Sequence, residues 1–128
     1  GLSDWIQSLP NGLNTMVGAG GLQPEGDICL RINVARAGVT NPAVITLDDP
    51  FSGMEDTTAV SIISGLRVLC PAATILVASS SLSLCRNGDM ILVMRQGRVI
   101  ESGTHEQLSG LKGLYNRMFL RQTGQMPE

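Results

Sequence analysis

Two adjacent carboxylates, Asp48 and Asp49, follow the short apolar run Ala43-Val-Ile-Thr-Leu47 and precede Pro50. A β-branched run of that length is the pattern of a fully buried parallel strand. Open α/β sheets present their ligand-binding groups at the C-terminal edges of such strands. There an acidic pair can hold Mg²⁺, directly or through water, and polarise a water molecule or a phosphate. The plain structural alternative is that one carboxylate caps the following turn while the other is solvated. A second run, Thr74-Ile-Leu-Val-Ala78, ends in Ser79-Ser80-Ser81 and would deliver hydroxyls to the same sheet edge.

Other reactive side chains are sparse. The single histidine, His105, falls in the first turn of an expected helix and reads as a surface or capping-turn residue. Cys29, Cys70 and Cys85 are odd in number, far apart and in apolar surroundings, which reads as reduced core thiols. With one histidine and no CxxC pair, a zinc site is not expected. Gly18-Ala-Gly20-Gly21 lacks a lysine, follows no expected strand and departs from GxGxxG at Gln23, so it reads as a linker. A receiver-type phosphoacceptor would also use an acidic pair, with a later Ser or Thr and a lysine. Ser79 and Ser80 could serve, but the only lysine, Lys112, lies in a helix near the end of the chain.

The elements that must position these residues follow from periodicity and punctuation. Leu2 to Leu9 has apolar residues at helical spacing and stops at Pro10-Asn11-Gly12. Glycines and Pro24 break any period up to Gly26. A helix then begins near Pro24, with Ile28, Cys29, Ile32, Ala35 and Val39 as its apolar stripe. Asp56 can cap a helix whose buried stripe is Val60, Ile63, Leu66 and Leu69. Strand, helix and strand with a crossover of this length predict a right-handed parallel βαβ unit. Met90–Met94, Arg95-Gln-Gly97 and Arg98–Ile100 predict a hairpin. Thr104-His-Glu-Gln107 matches a capping box. Two short amphipathic helices, to about Leu108 and Leu120, finish the chain, and Gly124 onward is expected to fray.

The 128 residues suit one domain. With 43% hydrophobic and 16% charged residues and a mean hydropathy of +0.17, the chain is too apolar for a disordered segment. No apolar run approaches the ~18–20 residues of a membrane span. The N-terminus lacks a signal peptide's positive flank and apolar core. These features predict a soluble, cytoplasmic body. Nine Lys and Arg against eleven Asp and Glu give a net charge of −2, without the basic field that drives nucleic-acid binding.

Residues 15–36, 44–56, 74–83 and 97–115, in this order and spacing, resemble the C-terminal half of the nucleotide-binding domain of an ABC transporter of exporter type. Leu9-Pro-Asn-Gly12 with Thr15-Met-Val-Gly18 resembles the stretch that faces the transmembrane domains. Arg31-Ile-Asn-Val-Ala-Arg-Ala37 resembles the helix after the family signature, and Val44-Ile-Thr-Leu-Asp-Asp49 the Walker B strand. The most distinctive stretch is Gly97-Arg-Val-Ile-Glu-Ser-Gly-Thr-His-Glu-Gln-Leu108, followed by Gly113-Leu-Tyr115. The resemblance implies an α/β fold: the C-terminal part of a P-loop (RecA-like) ABC ATPase core, a short parallel sheet with flanking helices and a terminal β-hairpin. Residues 1–128 would be a partial domain, with a helical and signature part over about 1–40 and a Walker B to C-terminal part over 41–128.

Departures fall at the family's working positions. The string GxxxxGK[ST] of the phosphate loop does not occur in these residues. Counted back from Arg31-Ile32, the signature LSGGQ falls on Pro24-Glu25-Gly26-Asp27-Ile28, which replaces its serine by Glu25 and its second glycine by Asp27. Carboxylates there would repel the nucleotide phosphate that this turn meets in the family, although Pro followed by acidic residues is also good helix-start chemistry. Asp49 stands where the family has the catalytic glutamate, one methylene shorter. Ser80 stands where it has the switch histidine. Ser52-Gly-Met-Glu55 keeps the serine of the SALD loop.

The resemblance therefore implies an ATP-binding part of an exporter on the cytoplasmic side of the membrane, with ATP and Mg²⁺ as cofactors of the full-length domain and, as partners, its transmembrane domains and a second nucleotide-binding domain, in a homo- or heterodimer. Asp48 would help hold Mg²⁺, Asp49 would be a poor base and Ser80 an impaired sensor. Glu25, Gly26, Asp27 and Ser52 would line the nucleotide side. By itself the chain would be inactive. The other reading is a non-enzymatic interaction module or truncated relic, prone to self-association through an unpaired sheet edge.

Overall fold

Each expected helix and strand forms, within a few residues of its expected ends, in the computed structural model, which describes residues 1–125. The fold is mixed α/β, with one short parallel and one short antiparallel sheet. The chain divides into two compact units, Gly1–Ala78 and Ser79–Glu128.

In the first unit, helix α1 (Ser3–Ser8) leads through a 3₁₀ turn (Gly12–Asn14) to a tight loop and then to helix α2 (Gly26–Val39). Gly18–Gly21 lies in a connection, as expected, and this connection is tightly folded. Val17 and Leu22 form a bridge, the Gly21 N–H donates to the Gly18 carbonyl at 3.0 Å, and the Gln23 side chain donates to the same carbonyl at 2.6 Å. Any side chain at Gly21 would strike the Met16 carbonyl, since a Cβ there would lie 2.2 Å from its oxygen.

Strand β1 (Val44–Asp48), helix α3 (Asp56–Leu69) and strand β2 (Thr74–Ala78) form the parallel βαβ unit, with Val44 opposite Thr74 and Asp48 opposite Ala78. Neither strand is fully buried. Exposure alternates along both, and Ile45 is the buried residue of β1, because this two-stranded sheet is covered on one face, where period two sends alternate side chains.

The helical stripes also differ from expectation. α2 buries Val34 and Gly38, while Val39 is 81% exposed. Apolar residues occur all round this helix, so their spacing does not single out a face. α3 buries Ala59, Ile62 and Leu66, a stripe displaced by one residue from the expected one at two of its positions. Its N-cap is Glu55, with Asp56 already in the first turn. α2 and α3 pack together at Gly38, where a Cβ would come within 2.1 Å of Leu69 Cδ2. The Cys70 thiol, beside this contact, donates to the Gly38 carbonyl at 3.4 Å. Cys70 is a core thiol as expected, but Cys29 is exposed and Cys85 only partly buried.

The second unit begins with a helical turn absent from the sequence reading, α4 (Leu82–Cys85). The hairpin follows, with β3 (Ile91–Arg95) antiparallel to β4 (Arg98–Gly103) and a bulge at Val93/Met94. Gln96 and Gly97 form its two-residue loop, with φ of 50° and 74°, the left-handed backbone that a type I′ turn requires. Helices α5 (His105–Gly110) and α6 (Leu114–Gln122) complete the unit. Its core is Leu82, Ile91, Val93, Leu108 and Tyr115, with Cys85, Leu114 and Phe119 packed against it.

The most distinctive sequence stretch is the brace of this unit. The capping box forms in full: the Thr104 hydroxyl accepts from the Gln107 N–H, and the Gln107 side chain accepts from the Thr104 N–H at 2.9 Å. The Glu101 carboxylate accepts from the backbone N–H groups of both Leu114 and Tyr115, satisfying two donors that the start of α6 would otherwise leave open. His105 is part of an aromatic group and not simply a capping-turn residue. Its Nδ1 lies 2.9 Å from the Tyr115 hydroxyl, and its ring packs against Phe119 with centroids 4.8 Å apart. Of the expected fraying after Gly124, Gln125 instead donates its N–H to the Leu120 carbonyl at 2.9 Å. Residues 126–128 lie outside the described residues.

Candidate functional site

The end of β1 carries the acidic pair as the sequence predicts. Asp48 is the last residue of the strand and Asp49 the first beyond it, and both are exposed. Asp49 turns the chain. Its φ is +39°, a backbone region that aspartate enters more readily than most residues. Its N–H donates to the Ala78 carbonyl at 2.8 Å, extending the sheet pairing by one bond. The Ser52 N–H reaches back to the Asp49 carbonyl at 3.5 Å. The buried Phe51 ring anchors this turn.

Three other expected site residues come together. Gly26, Asp27 and Ser52 line one open depression of about 470 Å³ with Leu30, Pro50, Gly53, Met54 and Thr58. Asp48 and Asp49 adjoin it through Pro50 without lining it. Glu25 stands at its margin as the N-cap of α2, in extended backbone and with no side-chain cap bond. The Asp27 carboxylate meets the Arg31 guanidinium at 3.0 Å, one helical turn on. This pair, partly exposed, is worth at most about 0.5 kcal/mol, but it places a cation beside one of the two carboxylates expected to repel an anion. Arg31 also donates to the Gly1 carbonyl at 2.9 Å.

Ser80 belongs to the second unit, two residues past the end of β2, and is exposed. The sequence reading missed its surroundings. The Gln122 side chain donates to the Ser80 carbonyl at 3.1 Å and accepts from the Leu82 N–H at 2.7 Å. No local signal could have found a contact between residues 40 positions apart. In the depression, Met54 was missed because a turn residue carries no period, and Thr58 because a polar residue in the first turn of α3 lies off its apolar stripe.

As donors, the two exposed carboxylates offer the hard oxygens that Mg²⁺ prefers. Among the described residues no group of three or more His, Cys, Asp or Glu gathers around a metal position. No helix among the described residues is long and apolar enough to cross a membrane.

A parallel βαβ unit with an acidic pair at its strand edge, together with a braced hairpin unit, defines a mixed α/β protein, and comparison with known proteins gives its kinship. No family model matches the chain. It is 37% identical over 121 residues to Multidrug resistance protein 4 of Entamoeba histolytica, covering 94% of this chain and 9% of that protein. It is 38% identical over 121 residues to the ATP-dependent lipid A-core flippase of Methylococcus capsulatus, covering 94% of this chain and 20% of the flippase. Among solved structures it superposes on a bacterial Atm1-family ABC exporter with ATP bound, at TM-score 0.84 and 34% identity, over 99% of this chain and 22% of that one. The chain is a homologue of ABC transporters and aligns with a small part of each. It spans between 9% and 20% of the length of these curated relatives.

Proposed function

We propose that this chain is the C-terminal half of the nucleotide-binding domain of an ABC exporter, with a P-loop (RecA-like) ATPase core, and that it serves to couple ATP binding and hydrolysis to transport. The observation that carries the reading is the acidic pair at the C-terminal end of a parallel strand, beside a depression lined by the signature-like turn of α2 and by Ser52. Similarity to exporters over nearly the whole chain supports it.

In this reading Asp48 holds Mg²⁺, which when bound neutralises phosphate charge. Asp49 orients the attacking water with a side chain one methylene shorter than glutamate, and so does it poorly. Ser80 faces the terminal phosphate without a positive charge. Glu25, Gly26 and Asp27 approach the nucleotide of a partnering domain from the start of α2. The exposed apolar residues Leu13 and Met16, 84% and 68% accessible, are the surface offered to transmembrane domains, and the chain works on the cytoplasmic side of the membrane. A second nucleotide-binding domain, identical or not, completes the site. The 128 residues contain no GxxxxGK[ST], so a phosphate cradle must come from outside them and the isolated chain is inactive.

The test is Mg·ATP binding and hydrolysis by the natural polypeptide that carries these residues. Binding is expected, with turnover well below ~1 s⁻¹, the low end of ordinary enzymes. Asp48→Ala should weaken Mg²⁺-dependent binding about tenfold, a loss of roughly 1.4 kcal/mol. Asp49→Asn should remove the residual hydrolysis. Hydrolysis untouched by Asp49→Asn would eliminate Asp49 as the base, and turnover at an ordinary transporter's rate would overturn the impaired site. A second reading, an interaction module without catalysis, is favoured by one observation: among the described residues, β1 and β2 form a sheet of only two strands. Its test is the association state, taken up below at the scale of the whole molecule.

A further inference from the structure

Gln122 reaches the Ser80 segment across 40 or more positions of sequence, with both ends of its carboxamide. Its carboxamide donates to the Ser80 carbonyl at 3.1 Å and accepts from the Leu82 N–H at 2.7 Å. The carbonyl of one residue and the N–H of the residue two further on are the groups that an extended segment offers to a neighbouring strand. The glutamine therefore supplies the N–H and C=O that one residue of a neighbouring strand would offer.

The segment needs such a partner. β2 ends at Ala78, and the next residues join no ladder. The serine hydroxyls are engaged locally: Ser79 Oγ accepts from the Ser81 N–H at 3.1 Å, and the Ser81 and Ser83 hydroxyls lie 2.9 Å apart. Leu82 opens α4, so its N–H has no acceptor within that helix, and Ser81 at the N-cap makes no side-chain cap bond. Gln122 supplies that acceptor from the last turn of α6. Leu82 is itself buried in the unit's core, which fixes one end of the segment while the glutamine fixes the other.

We propose that Gln122 is a positioning residue for Ser80, and that α6 sets where Ser80 stands through this two-bond clamp. The proposal rests on the reading of Ser80 as a phosphate-facing residue. A serine side chain is too short to make good a displaced backbone, so a phosphate contact through Ser80 depends on the attitude of residues 80–82. α6 is in turn seated by Glu101 at its first turn and Tyr115 in the core, which extends the clamp from the hairpin to the loop.

Amide hydrogen exchange on the full chain tests the clamp. In Gln122→Ala the Leu82 N–H should exchange at least about tenfold faster, while the Leu108 N–H, bonded to the Thr104 carbonyl within α5, keeps its rate. Gln122→Glu retains the acceptor and loses the donor, so Leu82 should stay protected. Unchanged Leu82 exchange in Gln122→Ala overturns the proposal. If Gln122→Ala speeds Leu108 as much as Leu82, Gln122→Glu decides, because loss of Leu82 protection there too would make the residue a general prop of the unit.

A double-mutant cycle in the natural polypeptide reads the functional side. Gln122→Ala should lower kcat severalfold at unchanged KM for Mg·ATP, and should have no further effect once Ser80 is alanine. Additive losses would overturn positioning through Ser80. If Ser80→Ala alone changes nothing, the phosphate-facing reading of Ser80 fails, and Leu82 exchange still decides whether the clamp exists.

Discussion

Cys85 and Tyr115, both in or against the core of the second unit, link its packing to pH. Burial pushes the Cys85 thiol above its ordinary range, and burial followed by the nearby Cys85 thiolate pushes Tyr115 up. Both groups are neutral when protonated, and folding favours the neutral forms. Their stabilisation is complete below the unfolded-chain values and is lost as pH rises through the higher folded ones. The urea midpoint should therefore fall between about pH 9 and 11. Tyr115→Phe keeps the ring and cannot ionise, so its decline over the same interval should be shallower. Parallel declines in the two chains would assign the alkaline loss to other groups. The residue scale also marks the limit of what could be read from sequence. Asp48 and Asp49 were legible because the strand before them announces where they stand. The Arg31 partner of Asp27 was equally available at i, i+4 spacing. Cys29 was misread because an apolar neighbourhood in sequence says nothing of which side of a helix a thiol occupies.

Among elements, α5 and α6 show how much end chemistry a short helix needs. A helix of six or nine residues is too short to persist on its own in water. Removing the Thr104 cap by Thr104→Ala should cost about 1 kcal/mol. Glu101→Ala removes a charged acceptor from two backbone donors and should cost more, about 2 kcal/mol. Urea unfolding of the two variants measures both, and a Glu101→Ala cost no greater than that of Thr104→Ala would show that Leu114 and Tyr115 find water in its place. The capping box and the hairpin turn were readable because each is local, with its partners within four residues. The buried faces of α2 and α3 were not, because both helices carry apolar residues on more than one side and the packing at Gly38 chooses between them. The helical turn at Leu82–Cys85 escaped notice because one turn has no period.

At the scale of the molecule, the first unit contains a parallel sheet of two strands, each with an edge that no other described strand pairs. Val44 and Leu76 on these strands are about half exposed. Open strand edges beside apolar surface pair with other chains. The isolated chain should therefore self-associate, with a sedimentation coefficient that rises with concentration over about two decades. A monomer of constant size across that range would refute this and would weaken the interaction-module reading with it. The mixed α/β class was legible, and so was the order of the elements apart from the short turns at Gly12–Asn14 and Leu82–Cys85. The division at Ala78 was not, since nothing in composition changes there.

The stretch from Gly97 to Tyr115 has one more consequence. Its glycine turns the hairpin, its glutamate seats a helix, its threonine and glutamine close a cap, and its histidine meets a core tyrosine. Each of these tasks holds the second unit together, whatever the chain binds. A chain in which the end of β1 had changed entirely would keep this second unit, and with it much of the likeness to ABC transporters.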